Sequence, residues 1–313
     1  MPTLTVAFCT YNRADRLPAL VGALRKQACP IAFEILAVNN NSKDTTLQVL
    51  AQLAQLPGAP LRYVTETEQG IVPARNRALH ECMQRDYFVF LDDDEMPLPG
   101  FLGTAYHALH DEKARCVGGR IQVDFSPHGR PSWLGDDLLG FLAAVDYGTQ
   151  AFWIKDSSTP VWTANVGYDM RVFRDNPHLR FDLKYNRAGT VMGGGEDVVM
   201  FKRLLEMAIP MRYRPDMQVA HFVEPWRLQW RYFIRLHYSA GLRKGRLELP
   251  NYPRAYRNIP PFMVVQALRQ TFKALARYVL RRPDALRQAM NASHAYGLIA
   301  GLYRRWHESR QSS

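Results

Sequence analysis

The first hundred residues alternate between short apolar runs and stretches with helical periodicity, and few folds satisfy that alternation. Leu4–Tyr11 is a near-continuous apolar run, the pattern of a strand buried on both faces. Leu17, Leu20, Val21, Leu24 and Ala28 follow at the three- and four-residue spacing of one helix face. Phe33–Val38 predicts a second strand, and Leu47, Leu50, Leu53, Ala54 and Leu56 predict the next helix, with Ser42 or Asp44 as its N-cap. Leu61–Val64 is a third strand, a helix begins near Pro73, and Tyr87–Leu91 is a fourth strand. Repeated β-α units imply an α/β fold with a mostly parallel central sheet flanked by helices on both faces.

Ligands of such sheets bind beyond the carboxyl ends of the strands. Strand one ends in Thr10-Tyr11-Asn12-Arg13, strand two in Asn39-Asn40-Asn41-Ser42, and strand four in Asp92-Asp93-Asp94-Glu95. Each cluster alone could be a turn or a helix cap, because Asn, Asp and Ser favour those positions. Three of them on one edge of one sheet converge on a single crevice. The acidic cluster is the most demanding, since like charges crowded at a strand end repel one another unless a cation neutralises them. Oxygen ligands suit a hard divalent ion, Mg²⁺ or Mn²⁺, shared with substrate phosphates. A solvated acidic turn is the other reading of that stretch.

Charge divides the chain. Residues 1–197 hold 19 Lys+Arg against 23 Asp+Glu, whereas residues 198–313 hold 21 against 6. A mildly acidic part is thus followed by a strongly basic one suited to phosphate-rich material, whether nucleic acid, anionic lipid or a diphosphate-linked substrate. The four cysteines form no CxxC pair, the start Met1-Pro2-Thr3-Leu4 has no signal-peptide pattern, and no window is apolar enough to span a bilayer. The expected compartment is cytoplasmic.

Downstream, Cys116–Val123 predicts another strand, followed by an aromatic-rich region containing Trp133, Phe141, Tyr147, Phe152, Trp153 and Trp162. These rings are either core or a platform for a sugar. A helix is expected to start at Gly193-Gly194-Gly195-Glu196-Asp197, with two carboxylates favoured in its first turn. Beyond residue 226 the chain becomes helical and basic. Met263–Leu280 intersperses Arg269, Lys273 and Arg277 among apolar residues, and a second basic helix covers Ala295–Trp306. Such helices either pack on the preceding domain or lie in a membrane interface.

Collected, these residues resemble the family 2 glycosyltransferases of GT-A fold over about residues 4–225. Thr10-Tyr11-Asn12-Arg13 closes the first strand, and Val38-Asn39-Asn40-Asn41-Ser42-Lys43-Asp44-Thr45 is similar to the family's V-D-N-x-S-x-D-x-T. Gly70-Ile71-Val72-Pro73-Ala74-Arg75-Asn76 is similar to G-x-x-x-A-R-N, Leu91-Asp92-Asp93-Asp94-Glu95 to the acidic D-x-D, and Gly194-Gly195-Glu196-Asp197 to the glycine-plus-ED acceptor element. Asn39 departs from the pattern, standing where the family has an aspartate that contacts the base. An amide donates as well as accepts, so UDP is favoured without excluding GDP or dTDP.

The resemblance implies a Rossmann-like nucleotide half and an acceptor half over residues 1–225; the change of pattern and charge sets off a basic helical extension over 226–313. It implies sugar transfer with inversion from a nucleoside-diphosphate sugar to an acceptor hydroxyl; the basic amphipathic tail fits a glycan or lipid-linked acceptor, as in cell-surface polysaccharide assembly at an anionic membrane, with no nucleic acid as partner. Thr10, Tyr11, Asn12, Arg13, Asn39, Arg75, Asp92 and Asp93 would bind the donor, and Gly194, Gly195 and Trp162 the acceptor. Asp94, with Asp92, would hold Mg²⁺ or Mn²⁺. His221 is either a structural histidine of an apolar strand or the third metal ligand found in some relatives. Asp197, or Glu196 in its place, would be the general base. Two rival readings are a sugar nucleotidyltransferase, whose glycine-rich phosphate loop residues 10–13 do not provide, and a nucleic-acid-binding protein using the basic tail, which has no recognition motif.

Overall fold

The computed structural model describes residues 3–187, 192 and 194–311. The chain divides into two compact units, one built from the elements that precede Glu224 and one from Glu224 onward. Gly193 of the expected glycine run lies outside the described residues.

The first unit follows the alternation of the sequence. In order it contains β1 (Leu4–Thr10), α1 (Leu17–Arg25), β2 (Phe33–Asn39), α2 (Thr46–Ala54), β3 (Leu61–Thr65), α3 (Ile71–Glu81), β4 (Tyr87–Leu91) and β5 (Glu95–Pro97). Then come α4 (Phe101–His110), β6 (Cys116–Asp124), β7 (Phe152–Trp153), β8 (Asn165–Asp169), α5 (Arg171–Arg174), α6 (Glu196–Glu206) and β9 (Met211–Phe222). The sheet runs β3-β2-β1-β4-β8-β6-β9-β5, with β7 attached to β9. β1 pairs in parallel with β2 and β4, and β2 with β3. β8 enters antiparallel between β4 and β6, while β9 is parallel to β6. Six of these strands therefore point one way, with β5, β7 and β8 opposed.

The core follows from the apolar runs. All of Tyr87–Leu91 is buried, and Phe8, Phe88, Phe90 and Phe101 have at most 1% of their surface exposed. Small residues appear where backbone must pass: a Cβ on Gly119 would sit 1.9 Å from the Met217 carbonyl oxygen, beside the bulge at which β9 shifts register against β6. The four cysteines are free thiols.

The second unit contains α7 (Trp230–Leu247), α8 (Pro261–Val279) and α9 (Ala285–Gln311). α7 and α9 touch backbone to backbone. Cβ atoms on Gly241, Gly245, Gly297 and Gly301 would lie 2.2 Å from carbonyl oxygens of His294, Leu298, Tyr238 and Leu242 respectively. The contact advances by four residues on both helices together, so they run parallel. Ser293 Oγ donates to the Ile234 carbonyl across the same seam. Gly297→Ala should accordingly destabilise this unit by about 1–3 kcal/mol through overpacking, read as a shift in urea denaturation. An unchanged midpoint would mean that the helices part freely.

Candidate active site

β1 lies between β2 and β4, so the sheet switches its direction of growth there, and a crevice opens beyond the carboxyl ends of β1 and β4. A cavity of about 220 Å³ occupies this position. Its walls include Thr10, Tyr11 and Arg13 after β1, and Asp92, Asp93 and Asp94 after β4. Gln69, Gly70 and Ile71 at the entry to α3 complete it, together with Asn40 and Arg187.

The asparagines of the first two loops tie those loops to each other and to the segment before α3. Asn12, at φ +52°, donates its backbone N–H to Ser42 Oγ at 3.0 Å and accepts from Lys43 N at 2.7 Å. Asn39 is 2% exposed; its Oδ1 accepts from Ser42 N at 3.1 Å and its Nδ2 approaches Thr65 Oγ1 at 3.5 Å. Neither side chain is among those lining the cavity; both fasten loop to loop. Asn40, in contrast, does line it, while its Nδ2 donates to the Glu68 carbonyl and its Oδ1 accepts from Gly70 N, both at 2.7 Å. The N-cap expected at Ser42 or Asp44 falls one residue later, at Thr45, with Asp44 accepting from Thr46 N instead.

Arg187 reaches the cavity because of how α3 starts. Gly70 has φ +137°, and a Cβ there would sit 2.1 Å from Asn186 Oδ1. That vacancy lets Asn186 accept from Val72 N, while the Arg187 carbonyl accepts from Ile71 N. Two of the helix's orphan N–H groups are satisfied by this segment rather than by a capping side chain.

The acidic run splits into parts with different surroundings. Burial and the adjacent Asp94 carboxylate push Asp93 up to about 7. Glu95 begins β5, whose antiparallel register sets it opposite His221 on β9. Glu95 Oε1 lies 3.0 Å from His221 Nδ1, and Asp94 Oδ1 lies 3.7 Å from the same nitrogen. Burial raises Glu95 to about 7 against the pull of His221, and among the described residues neither of its buried carboxyl oxygens has an aligned hydrogen bond. Ligand atoms of Asp94, Glu95 and His221 fall within 4.8 Å of one another. Two carboxylates and an imidazole so arranged fit a divalent cation, and the imidazole favours Mn²⁺ over Mg²⁺. Glu95, which the sequence did not single out, is the third member of this group beside Asp94 and His221. Asp92 does not belong to this group.

Asp92 is instead paired with Arg75. Arg75 is 3% exposed; its Nη2 donates to Asp92 Oδ1 at 3.0 Å and its Nη1 to Glu196 Oε1 at 2.7 Å. Arg75, expected at base or phosphate, is a buried tie between the end of β4 and the start of α6. Glu196 is covered and held by that arginine. Its neighbour Asp197 is partly exposed, and burial followed by the Glu196 charge raises it to about 6, with Arg75 acting in opposition.

A family model for glycosyl transferase family 2 matches residues 5–176, more than half of the chain. The chain belongs to that family. The glycosyltransferase AglE of Haloferax volcanii is 25% identical over 130 residues, which covers 41% of this chain and 42% of that protein. The chain therefore aligns with about two fifths of the length of this curated relative. Among solved structures, the mannosyltransferase PcManGT of Pyrobaculum calidifontis, in complex with GDP-Man and Mn²⁺, superposes with a TM-score of 0.61 at 18% identity over 97% of this chain and 88% of that one. TarS of S. aureus, residues 1–349 with UDP-GlcNAc, gives 0.53 at 17% identity over 100% and 92%. These structural likenesses establish a GT-A-type fold.

For a family 2 glycosyltransferase, two further expectations acquire a place. Trp162 is half-buried and packs against the core of the first unit, and its carbonyl accepts from Asn165 N at the entry to β8. Gly195, at φ +117°, is the residue before α6, and the Gly194 carbonyl accepts from Arg243. Arg187 and Glu95 are the residues that sequence reasoning passed over. Arg187 has no motif to announce it, whereas Glu95 was visible as the fourth member of the acidic run.

Proposed function

We propose that this protein is an inverting glycosyltransferase that moves a sugar from a nucleoside-diphosphate donor to a hydroxyl group of a glycan or lipid-linked acceptor, as in surface polysaccharide assembly at the inner face of a membrane. The observation that carries this reading is the grouping of Asp94, Glu95 and His221 beside a switch-point cavity that Arg13 and Arg187 also line. Asp94, His221 and Glu95 would hold Mg²⁺ or Mn²⁺, which when bound supplies neutralisation of the negative charge on the departing diphosphate. Arg13 and Arg187 offer guanidinium donors for phosphate oxygens, a match of planar fork to tetrahedral anion. Thr10 and Tyr11, which line the same cavity, would flank the donor. Asp197 accepts the acceptor's hydroxyl proton; the freed oxygen bonds to the anomeric carbon on the face opposite the diphosphate, and the bond to the diphosphate oxygen breaks with its electron pair. Attack from that face inverts the centre.

UDP-GlcNAc and GDP-Man are both bound by structural neighbours, which leaves the base to experiment. Thermal-shift titration with UDP, GDP and dTDP, with and without Mn²⁺, should show one nucleotide whose stabilisation requires the metal. Asp94→Asn should abolish that dependence. Absence of any metal-dependent nucleotide binding would overturn the proposal.

A further inference from the structure

Between Glu248 and Asp284 the chain carries no carboxylate: residues 249–283 include seven arginines and lysines and no aspartate or glutamate. Most of this stretch is α8. Met263 and Ala267, one turn apart, are the buried residues of that helix, and the second unit is packed through them. The larger apolar side chains are elsewhere on the cylinder. Val265, Leu268, Phe272, Leu275 and Val279 recur at three- and four-residue intervals, which stacks them on a single face. All five are exposed, from 49% at Leu268 to 70% at Phe272. Arg269, Lys273 and Arg277 recur every fourth residue along the flank and are exposed as well, Arg277 pairing with Asp284 at 3.0 Å. A surface helix ordinarily buries its large apolar residues and displays its charges. This one displays both.

We propose that this face of α8 lies in the head-group boundary of an anionic lipid bilayer, with its aliphatic and aromatic side chains toward the acyl chains and its basic stripe on the lipid phosphates. No helix among the described residues is long and apolar enough to cross a membrane, so the contact is one of lying on the surface. Tyr256 and Phe262, 77% and 60% exposed at the approach to the helix, add the aromatic content typical of membrane–water boundaries. Charge complementarity selects this occupant. A second copy would set one acid-free basic face against another, with no carboxylate to answer either. A nucleic acid would set Val265, Leu268, Leu275 and Val279 against a hydrated polyanion, and of the five residues of the face Phe272 alone offers a ring for a base to stack on. The proposal is independent of the sugar-transfer reading, since neither unit's chemistry enters it.

The test is co-sedimentation of the full chain with vesicles of phosphatidylglycerol and phosphatidylcholine, and with phosphatidylcholine alone, at low and high salt. Binding should require the anionic lipid and weaken at high salt. Leu268→Glu with Phe272→Glu should reduce partitioning at least ~10-fold, and Arg269→Ala with Lys273→Ala about 25-fold, at roughly fivefold per basic residue. Both variants should unfold like the wild type, because every altered side chain is exposed, and both should retain metal-dependent nucleotide binding. Wild-type protein that stays in the supernatant at low salt would overturn the proposal. So would variants that sediment as well as wild type. A Leu268→Glu/Phe272→Glu variant that turns a dimer into a monomer in sedimentation velocity, without vesicle binding by the wild type, would assign the face to a second copy. Tighter binding to single-stranded RNA than to anionic vesicles would assign it to nucleic acid.

Discussion

Asp197→Asn is expected to lower the rate of sugar transfer about 10²–10⁴-fold, the range for loss of a positioned general base, with donor binding retained. The expectation rests on the environment of the carboxyl group. It stands in the first turn of α6, where the helix dipole favours an anion, yet burial and the neighbouring Glu196 charge raise it to about 6. A base must be deprotonated to act, so the rate should fall as pH drops through about 6 and level off above it. The asparagine variant should lose that acidic limb altogether. Release of the nucleoside diphosphate from the donor, followed with and without acceptor across about pH 5 to 8, measures both effects. A variant with the wild-type rate, or a wild-type rate indifferent to pH near 6, would place the base at another residue.

Arg75→Ala should cost about 3–5 kcal/mol of stability, among the largest single effects available in this unit, because it strands a buried charge. Glu196 is 2% exposed, its Oε1 depends on Arg75, and its buried Oε2 has no hydrogen-bond partner among the described residues. Lysine is a poor replacement, since one ammonium cannot reproduce the fork that reaches Asp92 and Glu196 together. Adding Glu196→Gln to Arg75→Ala should recover part of the loss by removing the stranded anion. Urea denaturation of the two single variants and the double variant closes the cycle. A loss below about 1 kcal/mol for Arg75→Ala would show that water reaches Glu196.

The nucleotide-side strands were legible because each is an uninterrupted apolar run whose length and flanking helices leave little choice, and Tyr87–Leu91 is found without adjustment. What the letters conceal is pairing at long separation. Arg75 and Glu196 are 121 residues apart, and nothing in either neighbourhood marks one as the other's counter-ion. Glu95 meets His221 only through a three-residue strand, too short to leave a period of its own. The asparagines of the first two loops matched a motif, but a motif does not say which amide faces the ligand and which the next loop. In α8 the sequence shows amphipathicity without direction, because the helix carries two apolar stripes and the smaller one, through Met263 and Ala267, is the one that packs. The glycines of α7 and α9 carry no motif, and their opposition is visible only in the fold.

Those glycines have a consequence for α8. Two helices clasped peptide plane to peptide plane are cohesive through shape alone, so they call for few bulky side chains from a third helix to fill space between them. The greasy residues of α8 are thereby left over from assembly, and a cationic rod with unspent grease is pulled out of bulk water by whatever offers oil behind a negative skin.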